Sequence, residues 1–281
     1  MSSPLISPTA LSKRLGDPAW VVVDCRFNLM DPDAGGAGYR RGHIPGARYA
    51  HLDNDLARVP GPGDGRHPLP RVEDFAATLG TWGISNASHV VVYDNVSGAI
   101  AARLWWMLRW VGHDAVYVLD GGLVGWQAAG LPLEQEIPRI HAEQFAVTRV
   151  RHEWVVSTDR IPAELADGAT LVDARAPARF EGIAEPIDAV AGHVPGALNW
   201  PFSDALRADG SMRSASELHA RLRHLGESPG GLIAMCGSGV TACHLLLAVS
   251  VAGLGDGRVY VGSWSKWIRD PRRPVATGGA A

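Results

Sequence analysis

Short apolar runs that end in an acidic residue alternate with helix-like stretches along this chain. Val21–Val23 closes on Asp24 and Leu171–Val172 closes on Asp173, the pattern of strands buried on both faces. His89–Tyr93 and Leu232–Met235 are second such runs. Each leads into a glycine-containing loop and then a helical pattern, Ala99–Val111 and Thr241–Ala252. Val116–Leu119 and Val259–Val261 supply third strands. Strand–helix alternation with short connections predicts an α/β fold, with parallel sheets flanked by helices.

The pattern also repeats. Val21-Val22-Val23-Asp24-Cys25-Arg26 returns as Thr170-Leu171-Val172-Asp173-Ala174-Arg175, and Gly42-His43-Ile44-Pro45-Gly46-Ala47 as Gly192-His193-Val194-Pro195-Gly196-Ala197. Asp120-Gly121-Gly122 followed by Trp126 returns more loosely as Val261-Gly262-Ser263 followed by Trp267. Three landmarks in the same order mean that one whole domain was duplicated. The boundary is expected between about Leu133 and Arg151, where Pro138 and charged residues interrupt the periodicity. That gives a first domain over 1–140, a linker over 141–153 and a second domain over 154–281. Ala276–Ala281 is expected to fray.

Composition narrows the function classes. The chain has 281 residues, 46% of them apolar and 20% charged, which excludes a disordered protein. Its 26 basic residues do not exceed its 29 acidic ones, so nucleic acid is not an expected partner. The longest strongly apolar stretch, around Leu245–Leu254, falls well short of the ~20 residues that span a bilayer, so no membrane is expected either. The opening Met1-Ser-Ser-Pro lacks a basic segment followed by an apolar one, and a cytoplasmic location is the expectation. Three cysteines, Cys25, Cys236 and Cys243, exclude a disulfide framework and a four-cysteine zinc site. The histidines show no metal-ligand spacing and no nucleotide-type glycine loop is present, so neither metal nor cofactor is expected.

The strongest chemical signal is Met235-Cys236-Gly237-Ser238-Gly239-Val240-Thr241. A buried strand ends at Cys236, a glycine-punctuated loop follows, and a helix begins near Thr241. Such a turn sets the sulfur among backbone N–H groups near a helix N-terminus, which favours the thiolate. Gly237, Gly239, Val240 and Thr241 are therefore expected to line the anion site. The duplicate loop, Tyr93-Asp94-Asn95-Val96-Ser97-Gly98, has no thiol, which fits a single active site. Cys243, within the helical run, and Cys25 are expected to be structural. A cysteine phosphatase would need an arginine six residues after its nucleophile, where this chain has Ala242.

These residues resemble the two-domain rhodanese-type sulfurtransferases, and the resemblance covers nearly the whole chain. It rests on the paired Asp-x-Arg strands, both Gly-His-(Ile/Val)-Pro-Gly-Ala turns, Gly65-Arg66-His67-Pro68-Leu69-Pro70, and Gly262-Ser263-Trp264-Ser265-Lys266-Trp267. The cysteine loop is similar to that of 3-mercaptopyruvate sulfurtransferases, whereas thiosulfate-preferring relatives carry basic side chains right after the cysteine. The resemblance implies two tandem rhodanese-like domains, the first non-catalytic. It also implies transfer of a sulfane sulfur through a Cys236 persulfide to cyanide, a small thiol or a thioredoxin-like acceptor.

Within that family a loop serine, a histidine and an acid are proposed to protonate the leaving enolate. Ser238 matches the serine and His43 the histidine, with Asp31 or Asp33 as the acid. Arg179 matches the arginine that holds the donor's carboxylate, a role suited to its planar fork. Mercaptopyruvate enzymes place a second arginine some nine residues later, where this chain reads Pro186-Ile187-Asp188-Ala189. Arg48, Arg66 or Arg103 could stand in for it. The neutral loop touches the reacting sulfur, so 3-mercaptopyruvate is the expected donor and thiosulfate the alternative. A non-enzymatic sulfur-carrier module is the binding-class rival.

Overall fold

A computed structural model describes residues 3–279. Two five-stranded parallel sheets form, one in each half of the chain. The first contains β1 (Leu5–Ile6), β2 (Trp20–Asp24), β3 (Arg48–Tyr49), β4 (His89–Tyr93) and β5 (Val116–Leu119), in the order β1-β5-β4-β2-β3. The second contains β6 (Val155–Val156), β7 (Thr170–Asp173), β8 (Leu198–Asn199), β9 (Leu232–Met235) and β10 (Arg258–Tyr260), in the order β6-β10-β9-β7-β8. The two orders correspond strand for strand, as a duplicated domain requires. The sequence pattern marks the three inner strands of each sheet. The edge strands have two residues apiece, too short to show any periodicity.

Helices cover the sheets because their apolar residues are buried throughout. In the helix Ala101–Trp110 every side chain except Arg109 is buried, including Trp105, Trp106 and Trp110. In the first half, Val22, Val91, Tyr93, Ile44 and Trp126 share one core. In the second, Leu171, Ile233, Met235, Phe180 and Trp264 share another.

The repeated motifs make the same bonds in both halves. Arg26 grips Asp24 through Nη2 at 2.6 Å and donates to the Gly42 carbonyl at 2.7 Å. Arg175 does likewise with Asp173 and Gly192, both at 2.7 Å. These fully buried carboxylates are stable there because each is paired and hydrogen-bonded.

The chain separates into two compact units. The first comprises the chain up to Arg58, Leu69–Arg151 and Leu206–Met212; the second comprises Val59–Pro68, His152–Ala205 and the chain from Arg213 onward. The division after Arg151 lies within the expected linker, whose residues up to that point are held by the first unit. There Glu143 N–H donates to the Gly80 carbonyl at 3.0 Å and Arg151 N–H to that of Trp110 at 2.9 Å. The exchange of two short segments has local causes. Met212 N–H donates to Asp120 Oδ1 at 2.7 Å within the first unit, and Arg66 N–H donates to Ser265 Oγ at 3.0 Å within the second.

The expected frayed tail is pinned at Ala276 and Gly278. Ala276 exchanges both backbone hydrogen bonds with His193, and Gly278 N–H donates to the Glu181 carbonyl at 2.8 Å; residues 280–281 lie outside the described ones. Among the described residues, no helix is long and apolar enough to cross a membrane.

Candidate active site

Strand β9 ends at Met235, so Cys236 begins the turn that leads into the helix Thr241–Val251. Its sulfur accepts the Gly239 N–H at 3.1 Å, and the residue is 2% exposed. Gly239 must be glycine: its φ is +81°, and a Cβ there would lie 2.6 Å from the Val261 carbonyl oxygen. Val240 is buried and caps the helix that starts at Thr241, so the helix's positive end abuts the loop.

The loop is fixed from beneath by the residues after β10. Trp264 N–H donates to the Cys236 carbonyl at 3.0 Å and Ser265 N–H to that of Gly237 at 2.8 Å. Ser263 Oγ accepts the Cys236 N–H at 3.1 Å while donating to the Tyr260 carbonyl at 2.8 Å. Ser263 does so with φ at +51°, a conformation that costs a non-glycine residue about 1–2 kcal/mol. The matching residue of the first half is Gly122, which needs no such compensation.

The duplicate loop holds an anion of its own. Asp94 directly follows β4, as Cys236 follows β9. Its Oδ1 accepts the N–H groups of Val96 and Gly98, both at 2.8 Å. Its Oδ2 accepts those of Ile100 at 2.7 Å and Ala101 at 2.8 Å. Four converging donors on one carboxylate show that this turn of the first unit is built to receive negative charge.

Ser238 is 6% exposed, and its Oγ lies 2.7 Å from Nδ1 of His67, itself 4% exposed. Here the structure departs from the sequence reading, which matched His43. The ring of His43 belongs to the fold of the first unit, where its Nδ1 donates to the Tyr39 carbonyl at 2.8 Å and its ring stacks on Tyr39 at 4.0 Å. His193 repeats this arrangement on Phe180, with distances of 2.8 and 3.7 Å. Both Gly-His-x-Pro-Gly-Ala histidines therefore have the same role in the turn. Asp31 and Asp33 are exposed residues of the first unit. His67 lies in the quoted Gly65–Pro70 segment, but no periodicity there tells that the segment joins the second unit.

Of the arginines that could replace the second substrate arginine, Arg48 donates to the Trp82 and Gly46 carbonyls and Arg103 is buried in the first unit. Arg66 stands beside the cysteine loop. A Cβ on Gly237 would lie 3.1 Å from Arg66 Nη2 and 3.5 Å from Arg179 Nη2. Both guanidinium groups thus flank the residue that follows Cys236. Arg179 is held through Nε by both oxygens of Glu185 at 2.9 Å.

The other thiols differ from Cys236. Burial, followed by the carboxylates of Asp24, Asp94 and Asp55, pushes the Cys25 thiol well above its ordinary range, so it is not a thiolate near neutrality. Cys243 donates to the Gly239 carbonyl at 3.3 Å and supports the loop from within the helix. Among the described residues, no group of three histidine, cysteine or acidic side chains could hold a metal ion.

Comparison with known proteins agrees with this architecture. The rhodanese-like domain model matches residues 7–129 and again 157–270. A probable 3-mercaptopyruvate sulfurtransferase of Pseudomonas aeruginosa is 46% identical over 99% of each chain. A putative thiosulfate sulfurtransferase of Mycobacterium tuberculosis is 41% identical over 94% of this chain and 93% of its own. The solved structure of 3-mercaptopyruvate sulfurtransferase from Leishmania major superposes with a TM-score of 0.81 at 33% identity, over 94% of this chain and 73% of that one. Duplicated sheets of one strand order, a cysteine loop in the second copy alone and relatives of this identity lead to one conclusion: the chain belongs to the family of two-domain rhodanese-type sulfurtransferases.

Proposed function

We propose that this enzyme moves sulfur from 3-mercaptopyruvate, through a persulfide on Cys236, to cyanide or a thiol acceptor. The observation that carries this reading is the Ser238–His67 hydrogen bond of 2.7 Å, two residues along the loop from Cys236. Thiosulfate leaves as sulfite and needs no proton. Mercaptopyruvate leaves as an enolate and does, so a buried hydroxyl–imidazole pair beside the nucleophile serves the second donor.

In the first half-reaction the Cys236 thiolate attacks the donor's sulfur. A sulfur–sulfur bond forms as the donor's carbon–sulfur bond breaks, and the electron pair goes to the enolate. Ser238 passes a proton to the enolate carbon and His67 restores the hydroxyl proton, which derives from the donor's own thiol. Pyruvate leaves and the persulfide anion stays, steadied by the Gly239 N–H and the helix N-terminus as charge is steadied in an oxyanion hole. Arg179 and Arg66 orient the donor's carboxylate. In the second half-reaction cyanide attacks the outer sulfur, thiocyanate departs and the Cys236 thiolate returns. A small thiol or a thioredoxin-like protein would accept sulfur in the same way.

A thiosulfate-specific enzyme is the second reading, supported by the name of the mycobacterial relative. Side-by-side kinetics with cyanide decide between them: kcat/KM is expected to be higher for 3-mercaptopyruvate, and a preference for thiosulfate overturns the assignment. Mass spectrometry after donor exposure is expected to show Cys236 heavier by about 32 Da, one sulfur atom. Cys236→Ser should fold and lose turnover; persulfide without turnover would indicate a carrier.

A further inference from the structure

Asp188 stands nine residues after Arg179, where a second substrate arginine is expected, and reverses its charge. Its side chain is 4% exposed and is engaged on both oxygens. Arg66 donates from Nη1 to Oδ1 at 2.6 Å, and Arg179 from Nη2 to Oδ2 at 3.0 Å. Oδ2 also lies where it would meet a Cβ on Gly237 at 3.7 Å, so the carboxylate sits against the nucleophile's own loop.

This placement is built rather than incidental. Glu185 accepts the N–H groups of Ile187 and Asp188 at 3.0 and 3.1 Å, fixing the turn that carries Asp188. Glu185 also takes Arg179 Nε at 2.9 Å and Arg175 Nη1 at 3.2 Å, while Arg175 grips Asp173. Three guanidinium groups therefore face three carboxylates, and the cluster beside Gly237 carries no net charge. Arg66 keeps donor capacity, since its buried Nε has no protein partner.

We propose that Asp188 is the donor-specificity residue of this site. By balancing Arg66 and Arg179 it leaves them able to orient a carboxylate through directional hydrogen bonds, yet removes the surplus positive charge that a dianion needs. Coulomb attraction scales with the charge of the incoming donor, so the absence of one positive unit costs thiosulfate, a dianion, twice what it costs the monoanionic thiol form of 3-mercaptopyruvate. The neutral Gly237-Ser238-Gly239 segment adds no compensating charge.

This inference rests on the donor assignment above, but its test does not. Asp188→Asn keeps the shape and raises the cluster's charge by one. It should raise kcat/KM for thiosulfate about tenfold and for 3-mercaptopyruvate about threefold, through KM rather than kcat. Asp188→Glu should restore the original ratio of the two donors. Asp188→Ser, which removes the same charge with a smaller side chain and leaves both arginines in place, should shift the ratio the same way as Asp188→Asn, and provides the answer if that variant fails to fold. An unchanged donor ratio in these variants, or an equal fall for both donors, overturns the proposal and makes Asp188 a structural anchor. A wild-type preference for thiosulfate would remove the donor assignment alone, because the direction of each ratio shift still tests Asp188.

Discussion

Ser238 Oγ and His67 Nδ1 meet at 2.7 Å across 171 residues of sequence, inside one compact unit. In the mechanism proposed above this hydroxyl–imidazole pair is the proton path, and only one of the two candidate donors requires it. Ser238→Ala and His67→Asn are therefore expected to lower kcat with 3-mercaptopyruvate by about 10²–10³-fold while changing thiosulfate turnover by less than about threefold. Steady-state kinetics with both donors on each variant check this. Equal losses would mean that the pair merely supports the loop.

His43 should behave in the opposite manner. Its ring is buried, bonded to the Tyr39 carbonyl and stacked on Tyr39. His43→Phe keeps the stack and loses the bond, so urea unfolding should show a loss of about 1–3 kcal/mol. Turnover per folded molecule should stay within twofold of the wild type.

Asp94→Asn tests the anion-receiving turn where no sulfur is involved. The substitution puts an NH₂ group where an oxygen accepts two backbone N–H groups, so donors would face donors. A loss of about 2–4 kcal/mol is expected in chemical unfolding. A near-neutral result would mean that the turn does not depend on the charge.

The Asp188 turn should be sensitive to acid. Burial alone would raise the Glu185 carboxyl, but the Arg179 guanidinium and the N–H groups of Asp188 and Ile187 outweigh it and hold the group below the usual glutamate range. A carboxyl lowered in the folded state stabilises fully above its unfolded value of ~4.3, and this is lost as pH falls through the folded value. Wild-type stability should therefore decline below about pH 4.3 more steeply than that of Glu185→Gln, which should already be weaker by about 1–3 kcal/mol at neutral pH. Unfolding midpoints measured across that range provide the check.

The duplication and the inner strands were legible because parallel strands covered on both faces read as unbroken apolar runs, and because landmarks such as Asp24 and Asp173 recur in order. Cys236 was legible for a similar reason: strand, glycine loop and helix follow one another without a gap. The sequence assigns His67 no role and leaves Arg66 as one of three stand-ins for the missing arginine, since both arrive on Val59–Pro68, a segment from the first half of the sequence that packs with the second unit. Periodicity describes what a segment is and is silent on which core it joins. Asp188 was visible as a missing arginine, but its grip on two guanidinium groups depends on a turn set by Glu185. Such a turn leaves no mark on spacing.

The carboxylate of Asp94 gives the duplicated chain an arithmetic of its own. A receptor whose guest is covalently part of it neither loads nor unloads, so the earlier copy contributes no capacity for cargo. On the proposed Cys236 route, sulfur uptake is expected to saturate at one equivalent per polypeptide however high the donor concentration. Under that proposal gene duplication did not double the workload: it left one receptor permanently filled by Asp94 and one free to empty and refill with every cycle.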